Sequence, residues 1–135
     1  MMEIDLSTDT APSPERTLQL AETFAELARV LNHQTRHHEA LRNPADADRL
    51  IRELSTAAAR LPQLLRQVTA WLNAEYEEGR IRMADGADPE AAYAVLGAGT
   101  QLEVASEYAT MLSGALDRAA RITCDMAGVE RSEDA

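Results

Sequence analysis

The feature that most constrains this chain is an apolar repeat from Ala45 to Met126, interrupted once, at residues 84–89. Steps of three and four keep one stripe of a helix facing a neighbour, as in coiled coils. The repeat therefore predicts two long helices folded back on each other as a hairpin. Its positions are Ala47, Ile51, Leu54, Ala58, Leu61, Leu65, Val68 and Leu72 on the first arm, and Val95, Ala98, Leu102, Ala105, Ala109, Leu112, Leu116, Ala119, Thr123 and Met126 on the second.

Three pairs of a capping residue and a proline mark helix starts, at Ser13-Pro14, Asn43-Pro44 and Asp88-Pro89. Ser, Asn and Asp cap helix N-termini well, and proline at the first helical position loses only an N–H that had no partner. Gly86 offers a left-handed residue to end the second helix, and Gly128 ends the third. The predicted helices are Pro14 to Leu41, Pro44 to about Ala84, and Pro89 to about Met126.

Pro62 lies inside the second predicted helix. A proline in a helix interior costs about 3 kcal/mol and usually bends or ends the helix. Because the repeat keeps its phase from Ala58 to Leu65, we predict one helix kinked at Pro62. A break at Arg60-Leu61, which would give a four-helix bundle, is the alternative.

The fold class predicted is all-α, an antiparallel three-helix bundle with a long helical hairpin and coiled-coil-like packing. The length of 135 residues fits a single domain. We predict a disordered acidic tail over residues 1–13, a helical bundle domain over 14–127, and a disordered C-terminal tail over 128–135.

Composition restricts the class of function. The net charge of -10 argues against non-specific nucleic-acid binding, which needs basic residues to neutralise phosphates. No apolar run is long enough for a membrane span, and residues 1–13 lack the pattern of a signal peptide. A single cysteine, Cys124, allows no internal disulfide and fits a reducing compartment. These features predict a cytoplasmic protein.

The tip of the hairpin is the first candidate site. Helix one is shorter than the hairpin, so the tip, about Asn73 to Gly99, should extend beyond it. Exposed apolar surface there needs a cover, either tail residues such as Ile4 and Leu6 or a second copy in a homodimer. The candidate interface residues are Trp71, Tyr76, Ile81, Met83, Tyr93, Val95 and Leu96.

An Arg-rich end is the second candidate site. Residues 29–66 carry seven Arg and four acidic residues. The candidate basic residues are Arg36, Arg42, Arg49 and Arg52, which could bind an anionic ligand or DNA in a dimer. Acidic neighbours such as Asp48, four residues before Arg52, favour ordinary pairing on the helix surface instead.

Two histidine arrangements are candidates for metal binding or catalysis. His33 and His37 have the i, i+4 spacing of zinc-binding helices, but no third ligand follows them. His38 and Cys124 should lie toward the same end, beside Thr123 and Asp125, where a nucleophilic centre or a polar layer could form. We interpret both as structural or solvated, and predict no catalytic residue, metal or cofactor.

The run from Arg60 to Gln67 (RLPQLLRQ), followed by Trp71 and Leu72, resembles a stretch in small helical proteins of actinobacteria, some linked with mobile elements. The resemblance implies no assigned activity.

The sequence thus predicts a non-enzymatic protein that self-associates through its hairpin and binds a protein partner. A small regulatory protein, linked to DNA through the Arg-rich end of a dimer, is the second hypothesis. A metal protein or enzyme using His33/His37 or His38/Cys124 is the third.

Overall fold

The computed structural model describes residues 4–84 and 88–129 and contains three α-helices over those ranges. Helix α1 spans Pro14–Gln34, α2 spans Pro44–Glu77 and α3 spans Asp88–Thr123, with a short 3-10 turn at His38–Ala40. The chain forms two compact units, one up to Arg42 and one from Asn43 onward. The all-helical class predicted from the sequence is confirmed. No helix in the described ranges is long and apolar enough to cross a membrane.

Helix α1 begins where the sequence predicts, because the Ser13 hydroxyl accepts a hydrogen bond from the Arg16 amide at 3.1 Å. It ends at Gln34, not at Leu41. The Thr35 hydroxyl donates to the Leu31 carbonyl at 2.8 Å, and His37 is extended at φ -97° and ψ 132°. The stretch from Asn32 to His38 is rich in Asn, His and Thr, which are weak helix formers, so it supplies too little propensity to continue the helix.

Residues 4–13 lie along the first turns of α1. The Arg16 guanidinium donates to the carbonyls of Asp5 and Ser7 at 2.9 and 2.7 Å. Asp5 accepts hydrogen bonds from the Ser7 amide and the Thr10 hydroxyl, which lower the pKa of its carboxyl. The segment therefore has a defined path before the helix begins.

Helix α2 runs through Pro62 as one 34-residue helix, so the continuous helix is confirmed over the four-helix alternative. The bend at Pro62 stays a prediction. The Asn43 side chain caps the start by accepting from the Asp46 amide at 3.2 Å. Helices α2 and α3, about 51 and 54 Å long, pack antiparallel, since Asp48 contacts Thr123, Ser55 contacts Ser113 and Gly99 lies against Thr69.

Helix α2 ends at Glu77, earlier than the predicted Ala84, because Gly79 adopts a left-handed φ of 71°. The Gly79 amide donates to Tyr76 and the Arg80 amide to Glu75, at 3.0 and 2.9 Å, the two bonds of a Schellman motif. The Arg80 side chain also binds the Glu75 carboxylate at 2.7 Å. Gly79 was the sequence signal for this end, whereas the predicted Gly86 lies outside the described residues.

The stripe that α2 and α3 cover between them, here called the seam, is shifted from the predicted repeat at alternate positions. Polar or small residues replace leucines and valines, so that Ser55, Thr69 and Ser113 stand where Leu54, Val68 and Leu112 were predicted. The seam consists of Asp48, Ile51, Ser55, Ala58, Pro62, Leu65, Thr69 and Leu72 on α2, and Ala91, Val95, Ala98, Leu102, Ser106, Ala109, Ser113, Leu116, Ala120 and Thr123 on α3.

Candidate functional site

The buried part of the hairpin is made of small side chains. The buried apolar residues of the described ranges are Ala58, Ala91, Val95, Ala109 and Ala120, and no large side chain there is fully buried. Small residues allow two helices to approach toward the short end of the usual spacing of about 8–10 Å. The larger apolar side chains of the seam, such as Leu65 and Leu102, are only half-buried.

Hydrogen bonds between the helices fix the seam in the half of the hairpin that contains the start of α2 and the end of α3. The buried Ser55 hydroxyl lies within hydrogen-bond distance of the Ser113 carbonyl, at 3.2 Å, and of the Asp117 carboxylate, at 2.5 Å. The Ser113 hydroxyl donates in return to the Ser55 carbonyl at 3.2 Å. Because every buried side-chain polar atom in the described ranges has a partner, a polar residue is stable in this seam.

A second polar contact lies nearer the start of α2. The Thr123 hydroxyl donates to Asp48 at 2.6 Å, and Arg52 donates to the same carboxylate at 2.8 Å. The bond from Arg52, followed by the one from Thr123, holds the pKa of Asp48 below its ordinary value. Arg52 also donates to the Ala120 carbonyl at 3.5 Å.

The hairpin has one polar side. Residues one step after seam positions gather there, with Arg66 following Leu65 and Glu103 following Leu102. These side chains border an open groove of about 340 Å³, together with Thr69, Gly99, Ser106 and Glu107. Since Arg66 and Glu103 line the same groove, the step after the seam leads to the same side on both helices.

The opposite side is apolar. Its residues stand one step before seam positions, so antiparallel packing places them together on the side away from Arg66 and Glu103. The large side chains among them are exposed or half-buried. We call this surface the apolar face, and it consists of Leu50, Leu54, Leu61, Leu64, Val68 and Trp71 on α2, and Tyr108, Leu112 and Ile122 on α3.

The structure divides the residues predicted for the hairpin tip. Trp71 is 61% exposed and belongs to the apolar face. Tyr93 and Leu96 are also exposed, but Leu96 follows the seam residue Val95 and so points to the polar side. Val95 is buried, Ile81 is half-buried, and Tyr76 and Met83 are exposed. The tip residues therefore do not form one surface.

The Arg-rich end is also divided. Arg36 and Arg42 belong to the N-terminal unit, and Arg49 and Arg52 to the hairpin unit. Arg52 is engaged by Asp48, and the pKa of its guanidinium is raised chiefly by that hydrogen bond. Arg49 is exposed.

The histidine and cysteine candidates lie at the surface of the protein. The rings of His33 and His37 meet edge to face with centroids 5.6 Å apart, and both side chains are exposed. The Cys124 thiol is exposed and donates to the Arg121 carbonyl at 3.1 Å. Within residues 4–84 and 88–129, no three His, Cys, Asp or Glu side chains are grouped to hold a metal ion.

The apolar face is a candidate site that the sequence analysis did not identify, although it named Trp71 as an interface residue. Its leucines were assigned to the contact between α2 and α3, because the most apolar stripe was taken as the buried one. The signal was present in Ser55 and Ser113, which continue the same spacing one residue later.

Comparison with known proteins found no match to a family model, to a curated protein sequence or to a solved structure.

Proposed function

We propose that this chain is a non-enzymatic assembly protein that self-associates through its helical hairpin. One observation carries the proposal: the buried side chains of the hairpin are mostly alanines, whereas a row of large apolar side chains stays exposed. Leu64, Trp71 and Tyr108 are 52%, 61% and 67% exposed, whereas Ala58 and Ala109 are 3% and 6% exposed.

The energetics favour a cover for this surface. Burying one large apolar side chain contributes about 1.5–3 kcal/mol relative to leaving it exposed. The whole stability of an ordinary domain is about 5–15 kcal/mol. The side chains of the apolar face are already about half-buried, so covering them would contribute apolar burial of the same order as the stability of a domain, before the entropic cost of association is subtracted.

Catalysis and DNA binding have less support in the geometry. The Cys124 thiol donates to the Arg121 carbonyl at 3.1 Å, and the group beside it is the Asp125 carboxylate, 3.8 Å away, a weaker base than the imidazole that usually activates a cysteine nucleophile. Arg52, one of the four basic candidates, is neutralised by Asp48. Self-association requires an exposed apolar surface, and the hairpin has one.

An antiparallel three-helix bundle is the alternative to self-association as the cover of the apolar face. There a single helix of the same chain covers the hairpin, and the particle has the mass of one chain.

We propose the cytoplasm as the location, because a lone exposed thiol such as Cys124 fits a reducing compartment.

Size-exclusion chromatography with light scattering tests the proposal. We expect a mass of two copies of the 14.8 kDa chain at micromolar concentration, decreasing toward one copy on dilution. A single-chain mass at the highest soluble concentration would contradict self-association.

A further inference from the structure

We infer that the apolar face is covered by the same face of a second copy, so that two hairpins form one four-helix core. The inference rests on the proposed self-association and identifies its surface and its partner. It locates the contact on Leu64, Val68, Trp71 and Tyr108, away from Tyr93 and Leu96 at the tip.

The angle between the seam and the apolar face favours a two-helix partner. Each face residue directly precedes a seam residue, as Leu54 precedes Ser55 and Tyr108 precedes Ala109. One residue is about 100° of helix rotation. Neighbours of a helix lie about 90° apart in a four-helix bundle and about 60° apart around a three-helix core. The observed step fits the square arrangement, in which a second hairpin supplies the other two helices.

The size of the face fits a stable dimer. From Leu50 to Trp71 it is about 32 Å long, and two adjacent helices make it about 20 Å wide. That gives roughly 640 Å² per copy in projection, close to the ~800 Å² of accessible surface that each partner buries in a standard interface. The same face on a second copy has the same length and width.

Charge also favours a second copy. Positions one step before the seam, from Leu50 to Trp71 on α2 and from Gln101 to Ile122 on α3, hold no charged residue. The chain as a whole carries -10, with 27% charged residues. Two copies would meet on their uncharged sides, and the side with Arg66, Glu103 and Glu107 would remain in water.

The test uses two variants on the face and two matched variants off it. Leu64→Glu and Tyr108→Glu place a charge on the face, and each should weaken the dimer roughly 100-fold or more, because the charge would be buried without a partner. Leu96→Glu and Tyr93→Glu introduce the same changes at positions elsewhere that are somewhat more exposed, and should leave dimerisation within about three-fold of the wild type. Light scattering over a dilution series gives the mass of each.

Trp71 supplies a second measurement on the unaltered protein, since it is the only tryptophan. In the dimer it is covered, so quenching of its fluorescence by acrylamide should rise at least about two-fold as dilution lowers the mass. Because the quenching measurement uses the wild-type chain, it tests the apolar face even if circular dichroism shows that a Glu variant has lost helix content.

The outcomes separate the inference from the proposal beneath it. A dimer that is lost in Tyr93→Glu or Leu96→Glu but kept in Leu64→Glu and Tyr108→Glu overturns the face and leaves self-association standing. Quenching of Trp71 that stays constant while the dimer dissociates overturns the face as well. A wild-type chain that is monomeric at every concentration overturns both.

Discussion

The two sides of the hairpin differ by two residue steps and have opposite chemistry. One step after the seam lie Arg52, Arg66 and Glu103, with a groove open to water. One step before it lie Leu64, Trp71 and Tyr108. The same two helices thus present a solvated side and an apolar side, and the position of the seam determines which residues lie on each side. The lesson is that the most apolar stripe of a helix need not be the one its nearest neighbour covers.

The largest expected effect comes from widening the seam that separates the two sides. Ala58→Leu should lower the free energy of unfolding by about 1–3 kcal/mol, because Ala58 is buried and the close helix contact has no space for the larger side chain. Ala59→Leu, at the adjacent exposed position, should change it by less than about 0.5 kcal/mol. Urea unfolding followed by circular dichroism measures both. Equal effects of the two variants would place the seam elsewhere.

The end of α2 offers a pair of glycine substitutions with opposite signs. Gly79→Ala should destabilise the chain by about 1–2 kcal/mol, because its φ of 71° is left-handed. Gly97→Ala should stabilise it by up to about 1 kcal/mol, since Gly97 is inside α3 with nothing within 4 Å of an added Cβ. Thermal unfolding of both variants tests this, and a loss of stability in Gly97→Ala would reveal a close neighbour at that position.

Ser55 tests whether hydrogen bonds hold the seam in its shifted position. Ser55→Ala should cost about 0.5–1.5 kcal/mol, because the contacts with Ser113 and Asp117 are lost. Thr56→Ala is the control, since the Thr56 hydroxyl donates to the Arg52 carbonyl of its own helix at 3.0 Å and not across the seam. A Ser55→Ala variant as stable as the wild type would show that the small residues alone place the seam.

The smallest effect is a pH dependence at Asp48. Its pKa in the folded chain is lowered, chiefly by Arg52 and next by Thr123. The ionised carboxylate therefore stabilises the fold above its unfolded pKa of about 3.9, and that contribution is lost as the pH falls through the lower folded pKa.

Unfolding of the wild type and Asp48→Asn at pH near 6, and again at pH near 3, measures this contribution. At pH near 6 the wild type should have a larger free energy of unfolding than Asp48→Asn. This difference between the two proteins should be smaller at pH near 3. A difference that stays constant would exclude ionised Asp48 as its source.

The sequence predicts the parts of this fold that depend on local chemistry. The starts of α1 and α2 follow from Ser13 and Asn43 with their prolines, and the unbroken phase of the repeat carries α2 through Pro62. The end of α2 was harder to predict from the sequence, because Gly79 and Gly86 are both able to supply a left-handed residue. Gly79 ends α2 through hydrogen bonds from its own amide and that of Arg80 back to the carbonyls of Tyr76 and Glu75, which form only once the chain turns.

The candidate site was less predictable than the fold, for a physical reason. Hydrophobic periodicity ranks stripes by how apolar they are, but α2 and α3 meet where small residues let their backbones approach. Ser55 and Ser113 can be covered because they bond to each other's carbonyls. A one-residue shift reassigns Leu54, Val68 and Leu112 from core to surface, and with them the position of the candidate interface.

The early end of α2 leaves Arg82 exposed and outside both helices. The polypeptide can therefore be divided after Arg82 without interrupting either helix. Expressed as two separate peptides, the arms of the hairpin would recombine by ordinary bimolecular binding, and their dissociation constant would report the strength of the seam directly. Comparison with the intact chain would then give the effective concentration that the short connection imposes on its two helices.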